Sequence, residues 1–295
     1  MRLEALALPT VRLALTEDVG GGDVTTDAIV DASARARAHI VSRQEGVLAG
    51  STVAGLAFRE LDPEIAIDWL VPEGGALAKG GTVATLAGKA RAILTAERVA
   101  LNFLQRLSGI ATMAHAFVAA VEGTGVAILD TRKTTPGLRV LEKVAVLMGG
   151  GQNHRFGLFD GVLVKENHVT AAGGLEAAIT RAKAAAGALG IPVVVEVRTL
   201  EEALEAASLG VDRILLDNFT PSRIAEVTKR LGLPRARKGG AEPPGAVPRI
   251  EVSGGVRLSN VRDFALPGVD FISIGALTHS APAADLSLLM DEVTP

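Results

Sequence analysis

The chain has 295 residues, 48% of them apolar, enough for two domains or one large α/β domain with a substantial core. A formal net charge of -3 excludes a broadly basic nucleic-acid surface, and 3% aromatic content without tyrosine excludes a base-stacking platform. With no cysteine there is no disulfide, no thiolate nucleophile and no zinc–thiolate site.

The N-terminal stretch MRLEALALPTVRLALTEDVGGGD is interrupted by Glu4, Pro9 and Arg12. That makes it a poor signal peptide and too short and charged for a membrane span, so no membrane partner and a cytoplasmic location are expected. In the first third, RARAHIVSR and AIDWLV read as strands, and GGALAKGGTVATLAGKARAIL reads as two strands around a Gly-rich hairpin. Lys89 within it reads as a solvated turn residue. From Thr95 to about Val121 the period becomes helical, with Leu101, Leu104, Leu107 and Ala111 at three- and four-residue spacing. Arg98, Asn102 and Gln105 share another stripe of that helix, which on its own reads as a wet face.

Beyond this helix the chain becomes regular. Six apolar runs, VAILD, GVLVK, VVVEV, RILLD, RIEVSGG and FISIGA, alternate with helical stretches such as GLEAAITRAKAAAGAL and LEEALEAASLG. Continuous β-branched runs between helices predict strands buried on both faces, in a barrel or an open parallel sheet. Their ends carry Asp130, Lys165, Glu196, Asp217, Ser253 and Gly275, and in a β/α barrel all strand C-termini share one mouth. The segment GLPRARKGGAEPPGAVPR reads as a long mobile loop within the barrel.

Cations gather near those ends. Arg132 and Lys133 lie in LDTRKTTPG, His154 and Arg155 in GGGQNHRFG, and Lys165 in GVLVKENH; the long helix can add Arg98. Guanidiniums match carboxylates and phosphates in bidentate fashion, so a ligand with several anionic groups is implied. Glu196 and Asp217 suit Mg²⁺ or sugar hydroxyls. The backbone of Ser253, Gly254 and Gly255, with Gly275 on the next run, suits a phosphate. The ligand so outlined has a phosphate, a hydroxylated sugar, a metal and a second polyanion. Lys165 by itself also fits a Schiff-base aldolase lysine. His39, His115, His168 and His279 do not group into a metal site.

The block DTRKTTPGLRVLEKVAVLMGGGQNHRFGLFDGVLVKENHV resembles the quinolinate phosphoribosyltransferases. The resemblance continues in LTEDVGGGDVTTDAI, ERVALNFLQRLSGIAT, VVVEVRTLEEA, ILLDNF, IEVSGGV and ISIGALTHS, nearly the whole chain. It implies phosphoribosyl transfer from phosphoribosyl pyrophosphate to quinolinate with Mg²⁺, yielding nicotinate mononucleotide, pyrophosphate and CO₂ for de novo NAD synthesis. It also implies an N-terminal α/β sandwich-like domain over 1–109, completed by the segment near 278–295, and an incomplete, seven-stranded α/β barrel over 110–277. Only six of those strands show as runs. A homodimer with a shared site is implied too, with Glu17, Asp18 and Asp23 at a helix end and loop near the dimer contact.

Position by position, Arg132, His154 and Arg155 resemble quinolinate binders, joined by Arg98 from the partner subunit. Lys133 and Lys165 resemble ligands of quinolinate and of the phosphates. Glu196 and Asp217 resemble the ribose and Mg²⁺ pair, and Ser253, Gly254, Gly255 and Gly275 the 5′-phosphate cradle. Departures from the family's pattern fall at Arg198, Val144, Leu147 and Met148 and touch packing only. A paralogue of the same fold with another acceptor is the remaining alternative.

Overall fold

A computed structural model describes residues 3–233 and 248–294. The loop expected after Leu231 falls largely outside the described residues. In chain order the elements are α1 Leu3–Val19, α2 Val24–Ile29, β1 Arg35–Ser42, β2 Gly46–Val47, α3 Ser51–Leu61, β3 Ala66–Trp69, β4 Ala76–Leu77, β5 Thr82–Lys89 and α4 Ala90–Ala120. They continue with β6 Ala127–Leu129, α5 Arg139–Met148, β7 Val162–Val164, α6 Glu166–Ala172, α7 Leu175–Leu189, β8 Val193–Val197, α8 Leu200–Ser208 and β9 Arg213–Asp217. Last come α9 Pro221–Arg230, β10 Arg249–Ser253, α10 Val261–Phe264, β11 Phe271–Ser273, α11 Ala276–His279 and β12 Leu286–Thr294. By internal contacts the chain forms two units, one of Met1–His115, Thr134–Gly150 and Ala276–Pro295, the other of Ala116–Lys133 and Gly151–Gly275.

The first unit is built on an antiparallel sheet in the order β12-β1-β5-β3. On β1, Ala36, Ala38 and Ile40 are buried while Arg35 and Arg37 face out, the period-2 pattern of a sheet with one wet face. The expected Gly-rich hairpin is corrected here: β4 pairs with β2, and β5 pairs with β1 and β3. A tight turn joins β4 to β5, but their partners come from elsewhere in the chain, and local sequence does not specify such pairing. The long helix begins at Ala90, five residues before the periodicity suggests, because ARAIL already places Ala90 and Ile93 in the core.

Helix α5 belongs to this unit. Its Glu142 is fully buried, and its carboxylate takes Arg106 Nη2 at 2.8 Å, Thr135 Oγ1 at 2.7 Å and the Thr135 amide at 3.0 Å. A buried charge bonded on both oxygens in this way ties the KTTPG loop to α5. At its end, a Cβ on Gly149 would lie 2.2 Å from the Ala111 carbonyl of α4. This first glycine of GGG is therefore needed for close packing on a helix.

In the second unit all six apolar runs are strands of one parallel sheet, ordered β6-β11-β10-β9-β8-β7. Gln152 adds a single parallel bridge to Leu129 on the side of β6 away from β11. Val193, Val194 and Val195 are all buried, as strands covered on both faces require. Thr199 caps α8 with a capping box to Glu202, and Thr220 caps α9 with Pro221 at its first position, so both helices start where their strands have just ended.

Candidate active site

The candidate residues lie on two levels of the parallel sheet. The first is at the strand C-termini. Lys165 follows β7 and caps α6, its amide donating to His168 Nδ1 at 2.9 Å. Its Nζ donates to Glu196 Oε2 of β8 at 2.7 Å. The Lys165 side chain is 47% exposed, so it does not sit in the dry apolar pocket that activates a Schiff-base lysine. Asp217 ends β9, and Asn218 Nδ2 donates to its Oδ2 at 2.9 Å. Asn218 has φ 58, and its amide donates to the Ser253 carbonyl of β10 at 2.8 Å. Gly254, at φ 94, lies against this turn: a Cβ there would come 2.2 Å from Asn218 Oδ1. Thus the Ser-Gly-Gly turn and the Asp217–Asn218 turn fit together only with glycine at 254.

The second lies toward the other ends of the strands. A cavity of about 400 Å³ is lined by His154, Arg155, Phe156, Val162, Pro192 and Arg213 among others. Val162 and Arg213 open their strands and Pro192 precedes β8, so this cavity is near the strand N-termini. From Arg213 to Asp217 the strand covers about 13 Å at ~3.3 Å per residue. Burial, and after it the like charge of Arg132, depress the Arg155 guanidinium from its ordinary value, with Asp160 partly offsetting them. Arg155 Nη1 donates to the Gly161 carbonyl at 2.9 Å, while its Nε is buried with no hydrogen-bond partner among the described residues. A partly buried guanidinium with an unused buried donor marks a place for an anion.

Beneath it the polar groups are satisfied within the protein. Asp130, fully buried, accepts the His154 amide at 2.9 Å. Glu251, in the middle of β10, is also fully buried; it accepts Arg213 Nη1 at 2.9 Å and the Ser273 hydroxyl, and its Oε1 is 3.4 Å from His154 Nε2. Burial alone would raise the Glu251 carboxyl, but His154, Arg213 and Ser273 together hold it below its ordinary value. The Arg213 guanidinium also stacks 4.2 Å above the Phe271 ring.

The structure therefore joins Lys165 to Glu196 and Asp217 to the Ser253–Gly254 turn. Lys133 is exposed in the loop after β6, where its amide donates to Thr131 Oγ1 at 3.0 Å. Gly275 follows β11, and Gly255 continues the turn at φ 66. Arg98 is exposed on α4 in the first unit, while all the other candidates belong to the second. Glu251, Arg213 and Asn218 were not singled out from sequence. A glutamate inside the otherwise apolar run RIEVS is a legible signal; the φ of Asn218 is not. Arg198, a departure from the family's pattern, ion-pairs with Glu166 and accepts Arg223 Nη2 at its carbonyl, 3.0 Å away.

A parallel α/β sheet with acid, lysine and arginine in and after its strand ends has the makings of an enzyme site for small polyanions. The profile of the quinolinate phosphoribosyl transferase C-terminal domain matches residues 110–289, and that of the N-terminal domain matches residues 23–108. A probable nicotinate-nucleotide pyrophosphorylase [carboxylating] of Bacillus subtilis (strain 168) is 40% identical over 272 residues, 92% of this chain and 89% of that protein. Quinolinate phosphoribosyltransferase [decarboxylating] 1 of Nicotiana glauca is 39% identical over 296 residues, 95% of this chain and 81% of that one. Among solved structures, NadC from Streptococcus pyogenes superposes with a TM-score of 0.88 at 40% identity, covering 97% of this chain and 95% of that chain. The nicotinate-nucleotide pyrophosphorylase from Francisella tularensis gives 0.90 at 36% identity, covering 99% and 98%. The chain belongs to the quinolinate phosphoribosyltransferase family.

Proposed function

We propose that this chain transfers the phosphoribosyl group of phosphoribosyl pyrophosphate to quinolinate, releasing pyrophosphate and CO₂ and forming nicotinate mononucleotide. Family membership supports the reaction. The observation that carries its assignment to residues is the Arg155 guanidinium, whose buried Nε has no hydrogen-bond partner among the described residues. A pyridine dicarboxylate supplies two carboxylates for two guanidiniums.

In this reading the acceptor lies against Arg132, in the loop after β6, and Arg155. The ribose lies beside it, its hydroxyls on Glu196 and Asp217. The 5′-phosphate rests on the backbone of Ser253, Gly254 and Gly255 with Gly275, and Lys133 and Lys165 face the pyrophosphate. The ring nitrogen bonds to the anomeric carbon as the carbon–oxygen bond to pyrophosphate breaks, through an oxocarbenium-like sugar. The lysines offset charge growing on the leaving group, and the arginines hold the nitrogen in line. The carbon–carbon bond to the carboxylate beside the new pyridinium nitrogen then breaks. CO₂ leaves, the electron pair stays on the ring carbon, and a proton takes its place. No protein nucleophile is needed.

Two half-buried carboxylates on neighbouring strands fit Mg²⁺, which is commonly held by one or two carboxylates together with substrate phosphates. The described residues contain no cluster of three metal-ligating side chains, so the substrate's phosphates complete the site in this reading. When bound there, Mg²⁺ neutralises charge on the departing pyrophosphate.

The exposure of Arg98 on α4 is compatible with a homodimer in which it serves the partner's site. Domains of 1–109 with 278–295, and of 110–277, belong to the same reading, as does a cytoplasmic home. No helix among the described residues is long and apolar enough to cross a membrane.

The test is a product assay with phosphoribosyl pyrophosphate, Mg²⁺ and either quinolinate or nicotinate, read by mass spectrometry. Mononucleotide and CO₂ from quinolinate alone are expected. Product from nicotinate alone, or from neither, overturns the substrate assignment.

A further inference from the structure

We infer that Arg106 and the buried Glu142 are positioning residues: together they set the loop after β6, so that Arg132 and Lys133 stand ready for substrate while neither member of the pair touches it. The inference rests on the reading that Arg132 meets the acceptor and Lys133 the leaving pyrophosphate.

The loop runs from Asp130 to Leu138, between β6 and α5, and carries its two cations side by side. Its internal bonds are short in range: the Lys133 amide donates to Thr131 Oγ1 at 3.0 Å, and the Leu138 amide to the Thr135 carbonyl at 3.0 Å. Its anchors on α5 come directly after the cations. Arg139 Nε donates to Thr134 Oγ1 at 3.0 Å. The Thr135 amide donates to Glu142 Oε2 at 3.0 Å and the Thr135 hydroxyl to Oε1 at 2.7 Å. Two donors of one residue on two oxygens of one carboxylate fix a direction as well as a distance. Thr135 lies two positions beyond Lys133, so that direction is passed to the cation through the chain.

The carboxylate in turn has to be held. Glu142 is fully buried, and Arg106 supplies the countercharge, with Nε 3.2 Å and Nη2 2.8 Å from Oε1. The guanidinium is itself tied to backbone. Its Nη1 donates to the Ala281 carbonyl at 3.2 Å, and its Nη2 donates to the Thr278 carbonyl at the end of α11. All of these groups belong to the first unit.

Stability alone does not call for such a pair, because packed apolar residues in place of a buried ion pair commonly do as well or better. An apolar pair could not accept two hydrogen bonds from Thr135. The ion pair therefore supplies what packing cannot, a fixed orientation of the loop. At a charged group facing a reacting substrate that orientation matters, since a misplacement of about 1 Å can cost about 10²-fold in rate.

The test uses variants of the full-length protein. Thr135→Val removes the hydroxyl bond, and Thr135→Ser keeps it. The KM for quinolinate is expected to rise about tenfold in Thr135→Val, with a lower kcat, and both to stay within about threefold of the parent in Thr135→Ser. The KM for phosphoribosyl pyrophosphate is expected unchanged in both. The double variant Arg106→Met, Glu142→Leu exchanges the ion pair for an apolar one. It is expected to melt close to the parent and still to show at least the kinetic defect of Thr135→Val. Parent-like kinetics in Thr135→Val, or a double variant that is stable and fully active, overturns the inference.

Should the double variant fail to fold, the two Thr135 variants decide. Amide hydrogen exchange over residues 131–138 reads the loop without any substrate. Faster exchange is expected in Thr135→Val than in Thr135→Ser at equal melting temperature, and equal exchange overturns the inference whatever the acceptor is. Failure of the acceptor reading shows separately, as an unaltered protein that turns over no quinolinate.

Discussion

At the upper ends of the parallel strands the Lys165 side chain is 47% exposed and Asp217 is half-buried, while the Glu196 carboxylate that Lys165 pairs with is 11% exposed. Half a strand below, Glu251 and Asp130 are fully buried, and each is bonded within the protein. The same residue types thus have two uses in one sheet. Near water a carboxylate can exchange its lysine for a ligand at little cost, because such pairs are worth little by themselves. Inside, removing one partner leaves a charge without solvation, so those groups fix geometry. Arg155 stands between the two cases: it is buried in part, and its Nε has no hydrogen-bond partner among the described residues, which in the proposed reading suits an anion that enters and leaves.

Substitutions at the two levels separate them. Arg155→Ala should lower kcat/KM for quinolinate by about 10²- to 10³-fold, the value of two charge-assisted hydrogen bonds, with little change in KM for phosphoribosyl pyrophosphate. Glu196→Gln should act chiefly on the phosphoribosyl donor. If both variants change the same KM, the division of substrates between these residues is wrong.

Subunit mixing asks whether the exposed Arg98 completes a partner's site. Arg98→Ala and Lys165→Ala proteins should each be severely impaired. Mixed and re-equilibrated, they should recover about a quarter of the parent's activity, because half the dimers are mixed and each mixed dimer has one intact site. No recovery would place Arg98 in its own chain's site or outside any site.

Gly254→Ala sharpens the comparison at the upper level. Its Cβ meets Asn218 at a positive φ, so a loss of stability of about 1–3 kcal/mol is expected, with a raised KM for phosphoribosyl pyrophosphate, in denaturant unfolding and kinetics respectively. Full stability and an unchanged KM would show that the two turns do not depend on each other.

Acid sensitivity should trace to the lower level. Because the fold holds the Glu251 carboxyl below its ordinary value, its contribution to stability is complete above the unfolded-chain value of about 4.3 and is lost as pH falls through the folded-state value. Glu251→Gln should be less stable near neutrality and lose less on acidification. An unchanged acid limb in unfolding curves would assign that loss to other carboxylates.

All six parallel strands were legible because strands covered on both faces become continuous apolar runs, visible without any knowledge of partners. The β4–β5 hairpin was misread because pairing is settled by distant segments: β5 takes β1 and β3, and β4 takes β2. The start of α4 was hidden because ARAIL has neither a cap nor a breaker. In the site, the contact of Lys165 with Glu196 follows from adjacent strand ends, which a run-by-run reading can anticipate. The network of His154, Glu251, Arg213 and Ser273 could not be read that way. Its members lie 22 to 38 positions from Glu251 along the later strands, and His154 is farther still. Only Glu251, charged inside an apolar run, hinted that something was held there.

In the proposed reading the guanidiniums of Arg132 and Arg155 receive the two carboxylates of one small ring. Equilibrium binding of quinolinate and of nicotinate to the unaltered protein tests it most directly. Quinolinate is expected to bind at least about tenfold more tightly, the value of one further charge-assisted contact of about 1.4 kcal/mol or more. Equal affinity for the two acids would contradict it.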